Sequence, residues 1–452
     1  MNGKDLEKAL LWEAPHIGEK APEQIPEAQN FCEGYKTFLN EGKTERECVK
    51  KAASLLTTAG YKDFDPKESY KPGDKLYWVN RKKAIIASTI GTKDLNEGLR
   101  MNGAHIDSPR LDLKPNPLFE KDEIAYLKPH YYGGIRKYQW GTVPLSMHGV
   151  VMKADGETVE VSIGEKEGDP QFCVTDLLPH LAAEQNGRKL GEGLKGEELN
   201  IIIGSIPYHD EENEKIKNPA KLLAMKLLND RYGITEKDFT RAEIEMVPAY
   251  KAVDIGLDRG LIGSYGQDDR VCAYTALMAE IAAKNPEHTT FTILTDKEEI
   301  GSVGNTGLHS DYVHHAVEDL AESFGADTKT VLRHSICLSS DVNAAYDPTF
   351  ASVYENRNSS YVNKGCVLTK YTGARGKSGS SDASAETMAK VIGIMEAEGV
   401  YWQAGELGAV DQGGGGTIAK YVAHLNIDVV DLGVPILSKN APFELSSKLD
   451  VY

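Results

Sequence analysis

Apolar residues recur at helical spacing over Asp5–Trp12, Pro26–Asn40 and Thr44–Ala59, and these stretches predict amphipathic helices. Lys75–Val79 and Ala84–Thr89 predict a hairpin around Asn80-Arg81. Leu99–His105 predicts a strand that Asp107-Ser108-Pro109 breaks. From Lys114 to Pro144 the pattern gives way to a texture rich in Pro, Gly and Tyr. Gly149–Ile163 predicts two strands joined by the turn Ala154-Asp155-Gly156. Charged, Gly-rich loops follow at Gly164–Pro170 and Gly187–Glu198, then a helix over Pro219–Tyr232 and a strand over Ala242–Pro248. After Ala249 helices and strands alternate. Helices are predicted over Arg270–Lys284, Asp311–Phe324, Ser381–Glu398 and Thr417–Leu425. Strands are predicted over Thr289–Leu294, His334–Leu338 and Val429–Leu432.

Such alternation predicts an α/β fold, a mixed sheet covered by helices on both faces. The chain has 452 residues, more than one ordinary core holds. The change of texture therefore marks an inserted β-rich domain at 116–246, leaving 1–115 and 247–452 as a discontinuous catalytic domain. In covered sheets of this kind ligands bind where strands end and loops begin.

Charge and cysteines narrow the function. Net charge is −17, from 68 acidic against 51 basic residues, with no Lys/Arg cluster to reverse it locally. That surface repels nucleic acid and anionic membranes. The six cysteines lie far apart and form no CxxC pair, which predicts reduced thiols in a cytoplasmic protein rather than a disulfide framework. The first residues, MNGKDLEKALLWEA, lack the apolar region and cleavage site of a signal peptide. No apolar run reaches the roughly 18 residues that span a bilayer.

Four predicted strand ends carry polar clusters. Asn102-Gly103-Ala104-His105-Ile106-Asp107 delivers a histidine to a loop, and Asp107 follows as an acceptor for its second ring nitrogen. Gly266-Gln267-Asp268-Asp269-Arg270 precedes a helix; one aspartate suffices to cap it or pair with Arg270, freeing the other to bridge metals. Thr295-Asp296-Lys297-Glu298-Glu299-Ile300-Gly301 follows the apolar Phe291-Thr292-Ile293-Leu294, and its adjacent glutamates point in different directions. Cys337-Leu338-Ser339-Ser340-Asp341 is again an apolar strand ending in a carboxylate. Each cluster alone is an ordinary loop, cap or turn. Together they offer oxygen and nitrogen ligands without thiolate, suited to zinc, cobalt or manganese. A bridging carboxylate would allow two ions, and a glutamate beside them would serve as the base of an amide hydrolase.

At these residues the chain resembles the M18 metallo-aminopeptidases, the family of aspartyl and vacuolar aminopeptidases, in its bacterial branch. His-x-Asp-Ser-Pro, Asp-Asp-Arg, Asp-x-Glu-Glu-x-Gly, the Ser-x-Asp strand end, Pro-Phe-Glu and the Ser-Lys-x-Asp-Val-Tyr tail occur in the family's order over nearly the full length. The resemblance implies a zinc-exopeptidase-type sheet with an inserted dimerisation domain. It implies removal of N-terminal residues from peptides, two divalent ions per subunit and a homo-oligomeric dodecamer built from dimers. By position, His105 and Asp341 bind one ion, Asp268 bridges, Glu299 binds the second, Glu298 is the general base and Asp107 orients His105. His180, in Leu178-Pro179-His180-Leu181-Ala182, would enter a neighbouring subunit's site. Arg375 and Lys377 lie where acidic-selective relatives carry a basic side chain, at a different spacing. A neutral preference is equally compatible with that difference.

One departure matters. The family has Met-His before Ala-Pro-Phe-Glu, and that histidine is the last metal ligand; here the residues are Lys439-Asn440. A weakened second site, an altered segment and an inactive, peptide-binding relative are the competing explanations, and the intact flanks favour the altered segment. His424 reads as a helix-face residue rather than a substitute ligand. The Gly413–Gly416 run reads as a packing loop or an anion cradle. The resemblance also implies another turn or two of helix beyond Tyr452. An N-acyl amidohydrolase is the rival that keeps the metals.

Overall fold

The computed structural model describes residues 2–209 and 216–452, so Met1 and residues 210–215 of the expected domains lie outside it. A nine-stranded sheet forms the centre. Its order is Lys62–Asp63, Lys75–Asn80, Ala84–Thr89, Thr290–Thr295, Arg100–His105, Ile336–Ser339, Asp428–Gly433, Cys366–Thr369 and Trp402–Ala404. The four strands from Thr290–Thr295 to Asp428–Gly433 run parallel, in a register that sets Thr295 beside His105 and Ser339 beside Gly103. Their C-terminal ends therefore open on one edge.

Alternation along the strands builds two cores. Ile85, Ala87, Ala104 and Leu294 pack against Tyr35, Phe38 and Leu56 of the helices Ile25–Glu41 and Glu45–Thr58. Ile86, Met101, Phe291 and Ile293 pack on the other face with Val313, Val317 and Leu320 of Tyr312–Phe324. Such two-sided burial is why these strands read as continuous apolar runs.

A second sheet of seven strands is built from residues 110–248. Ala242–Pro248 pairs with both Arg110–Lys121 and Pro144–Met152, which joins the ends of six strands into a ring around Leu111, Leu127, Trp140, Met147 and Met246. Arg110–Lys121 and Ile124–Tyr132 are strands that the Pro-, Gly- and Tyr-rich texture concealed. Pro115 and Pro117 fall where the register shifts between Leu113 and Leu118, a break in pairing that tolerates a missing N–H. A third sheet carries the chain's end: Pro435–Leu437 turns back into Glu444–Ser447, and Lys439-Asn440 occupies the turn.

Element boundaries differ locally from expectation. The helix predicted over Ser381–Glu398 begins at Ala385, where Ser384 accepts the Thr387 N–H. His334 closes a short helix, Thr328–His334, capped by Asp327, so the following strand starts at Ile336. Among the described residues no helix is long and apolar enough to cross a membrane.

The two larger sheets meet through buried ionic contacts. His148, on Pro144–Met152, lies 2.8 Å from Glu47 of the helix Glu45–Thr58 and 3.4 Å from Glu165. Burial works against the imidazolium, but the two glutamates outweigh it and push its pKa up to about 9. A histidine raised from the ordinary 6.5 stabilises the fold fully below pH 6.5, and that contribution is lost as pH rises through 9. His148→Gln should therefore cost up to about 3 kcal/mol at pH 6 and much less at pH 10. Urea unfolding of both proteins at the two pH values reads the difference; equal losses at both would remove the charged pair as its source.

Candidate metal centre

Three parallel strand ends and the start of the helix Gln267–Ala282 bring the four clusters of the sequence to one place. His105 is the last residue of its strand and is buried. Its Nδ1 lies 3.0 Å from the Asp107 carbonyl oxygen and 3.3 Å from the Asp107 carboxylate. Nε2 points into the cluster, and a neutral ring protonated at Nδ1 would offer its lone pair there; burial disfavours the charged ring, but Asp107 and Asp268 raise its pKa well above the ordinary value. Nε2 lies 3.2 Å from Asp268 Oδ1, 3.9 Å from Glu298 Oε2 and 4.0 Å from Asp341 Oδ1.

Asp107 does more than orient the imidazole. Its carboxylate also accepts the Tyr132 hydroxyl at 2.8 Å and the backbone N–H groups of Glu298 and Glu299 at 3.1 and 3.2 Å. Those glutamates sit on a single 3-10 turn between Lys297 and Gly301, both left-handed. Tyr132 comes from the second sheet and is stacked 3.8 Å under the Arg110 guanidinium. Neither residue was singled out in the sequence, since a lone Tyr or Arg in a strand carries no local signal.

Asp268 and Asp269 have non-helical backbone, and their shared peptide bond is cis. The expected division of labour between them is different from that observed. Arg270 pairs with neither: its guanidinium donates to the carbonyls of Ile106 and Lys43, because Gly266 leaves it room to turn back. Asp269 instead accepts the His105 backbone N–H at 3.3 Å. Glu444, buried in the Pro-Phe-Glu segment, accepts the N–H groups of Asp268 at 3.1 Å and Asn440 at 2.7 Å. Asp341 lies where the chain passes Gly433 so closely that a Cβ there would meet the Asp341 carbonyl oxygen at 1.7 Å.

Lys439 and Asn440 also converge on the cluster. Lys439 Nζ lies 3.1 Å from Asp341 Oδ1 and 3.4 Å from Asp268 Oδ2. Asn440 Nδ2 donates to Asp268 Oδ2 at 2.9 Å and to Glu299 Oε1 at 2.8 Å. Asn440 thus presents a donor where a metal ligand was expected. The crowding of like charges shows in the pKa values. Burial, then the Asp341 carboxylate, pushes Glu298 up to about 8. Burial and Asp268 raise Glu299 well above the carboxylate range. Burial opposes the Lys439 charge, but Asp268, Asp341, Glu299 and Glu298 outweigh it.

The donor set fits a divalent cation. His105 Nε2 and Asp268 Oδ1 are buried, close together and without hydrogen-bond partners, as expected of two atoms aimed at a common point. His105 with Asp268 and Glu299, and His105 with Glu298 and Asp341, each form a three-ligand group. The cluster opens into a cavity of about 560 Å³ walled by Tyr371–Lys377, Glu406–Asp411 and Gly413–Gly416. Arg375 and Lys377 line it; Lys377 is already paired with Asp382 at 2.9 Å. His180 lies elsewhere, exposed on the short turn Pro179–Leu181.

Residues 38–452 match the family described as Aminopeptidase I zinc metalloprotease (M18). The chain belongs to the M18 aminopeptidase family. It is 48% identical over 438 residues to the probable M18 family aminopeptidase 1 of Clostridium acetobutylicum, covering 95% of this chain and 93% of that one. It superposes on the crystal structure of an M18-family aminopeptidase from Thermotoga maritima with a TM-score of 0.92 at 44% identity, covering 98% and 97% of the two chains. The S. cerevisiae mApe1 dodecamer shares the fold at 20% identity, with a TM-score of 0.75 over 94% of each chain. Aminopeptidase function follows for the chain from its membership and from the extent of the first likeness.

Proposed function

We propose that the chain is a zinc-dependent aminopeptidase in which His105, Asp268, Glu299 and Asp341 hold metal, Asp107 orients His105, and Glu298 is the general base. The observation that carries this reading is the convergence of the Asp268, Glu298 and Asp341 carboxylates on the unpartnered Nε2 of one buried histidine, with Glu299 grouped beside them. A divalent ion held there supplies a Lewis acid that polarises the peptide carbonyl and makes water easier to deprotonate. Glu298 takes the water's proton on its carboxylate and returns it to the departing amine. Burial and the Asp341 carboxylate raise its pKa to about 8, and positive charge entering the cluster would lower it toward the ionised form that accepts a proton. Zinc is the metal of the family description, and the ligand types suit it; cobalt and manganese suit them too.

The cavity walls receive the substrate's first side chain, with Arg375 and Lys377 among the cationic groups that line them. The unit at 116–246 makes dimer contacts, and His180 reaches a neighbouring subunit's site. Exposure of Leu177, Leu178 and Leu181 at 52%, 51% and 68% beside His180 supports a covered surface there. The dodecamer of the yeast relative supports a closed homo-oligomer of the same kind. Six free cysteines suit a reducing cytoplasm.

Aminoacyl-nitroanilides set against N-acetyl amino acids test the activity. Release of nitroaniline, abolished by a chelator and restored by zinc, cobalt or manganese, is the expected result. Faster cleavage of the acetylated substrates would make the chain an N-acyl amidohydrolase, and turnover indifferent to chelation would remove the metal from the reaction.

A further inference from the structure

The Asp268 carboxylate has two unlike sides. Oδ1 faces His105 Nε2 at 3.2 Å and has no hydrogen-bond partner. Oδ2 is approached by Lys439 Nζ at 3.4 Å and holds the Asn440 amide at 2.9 Å. The same two side chains reach beyond Asp268, Lys439 to Asp341 and Asn440 to Glu299. A cation bridged by Asp268 on the Oδ2 side would use Asp268 Oδ2 and Glu299 Oε1, both held by the Asn440 amide, with the Lys439 ammonium 3.4 Å from the first of them.

We infer that each chain binds a single divalent ion tightly, on the His105 side of Asp268, and that Lys439 and Asn440 occupy the position a second ion would take. The inference rests on the metal-site reading above. Four carboxylates meet here: Asp268, Glu298, Glu299 and Asp341. Repulsion between a second ion and an ammonium sharing its carboxylates works directly against binding. Asparagine offers a cation at most one neutral oxygen in place of an imidazole nitrogen. Asp268 would then lie between the held ion and the Lys439 ammonium.

Metal content, measured by mass spectrometry on protein equilibrated with buffered zinc, tests this without reference to turnover. The wild type should hold one ion per chain. Lys439→Met removes the ammonium at nearly constant length, and Asn440→His adds an imidazole ligand. The double variant should take up a second ion with affinity about 100-fold or more above any second binding by the wild type. Two tightly held ions in the wild type would overturn the inference while leaving the metal-site reading intact. No ion in the wild type would overturn that reading itself. One ion in the wild type and still one in a folded double variant would remove Lys439 and Asn440 as the cause. Asn440→His alone, with circular dichroism as the check on folding, serves if the double variant does not fold.

Discussion

Glu298→Gln is expected to lower kcat by roughly 10²–10⁴ while bound metal per chain stays at the wild-type level. Glutamine preserves the shape and the contacts of the 3-10 turn, whose N–H groups remain on Asp107. It removes only the ability to accept a proton. The split between the two readouts is informative because Glu298 also lies within ligand distance of His105 and Asp341. A loss of metal in parallel with activity would make Glu298 a ligand rather than a base. Turnover near that of the wild type would remove it from both roles.

Arg110→Ala is expected to destabilise the fold by about 3–5 kcal/mol in urea unfolding. The guanidinium lies 2.7 Å from Asp112, 3.3 Å from Glu245 and 3.5 Å from Glu45, and it stacks on Tyr132. Glu45 and Glu245 are buried carboxylates from different sheets' surroundings, one on a helix of the first and one on a strand of the second. Burial disfavours charge on Glu45, and Arg110 and Lys83 reverse that, holding its pKa low. Without Arg110 these acids keep, among the described residues, one ion pair, that of Lys83 with Glu45 at 3.1 Å. A loss below about 1 kcal/mol would mean that the acids simply take up protons and that the arginine adds little.

Much of the site was legible because its carriers are parallel strands buried on both faces. Each is a short apolar run, so a polar cluster at its end stands out: His105 after Met101–Ala104, Glu298 after Phe291–Leu294, Asp341 after Ile336–Leu338. Order along the chain then carried the resemblance. The second sheet was harder to read, since Pro115 and Pro117 interrupt a strand whose pairing shifts around them. Contacts between distant segments left no local trace. Nothing near Tyr132 signals that its hydroxyl lands on Asp107, and nothing near Asp269 signals that it holds the His105 backbone. Lys439-Asn440 was visible as a departure, but only the fold discloses that both side chains reach the acids.

The Asp107 carboxylate grips the His105 ring on one side and the Glu298–Glu299 backbone on the other. In the proposed site the metal-holding imidazole and the proton-accepting carboxylate are thereby hung from one peg, and the spacing between them is set by a group that need touch neither ion nor peptide. Drift in that peg would misplace both together, so the two functions cannot be adjusted independently of each other.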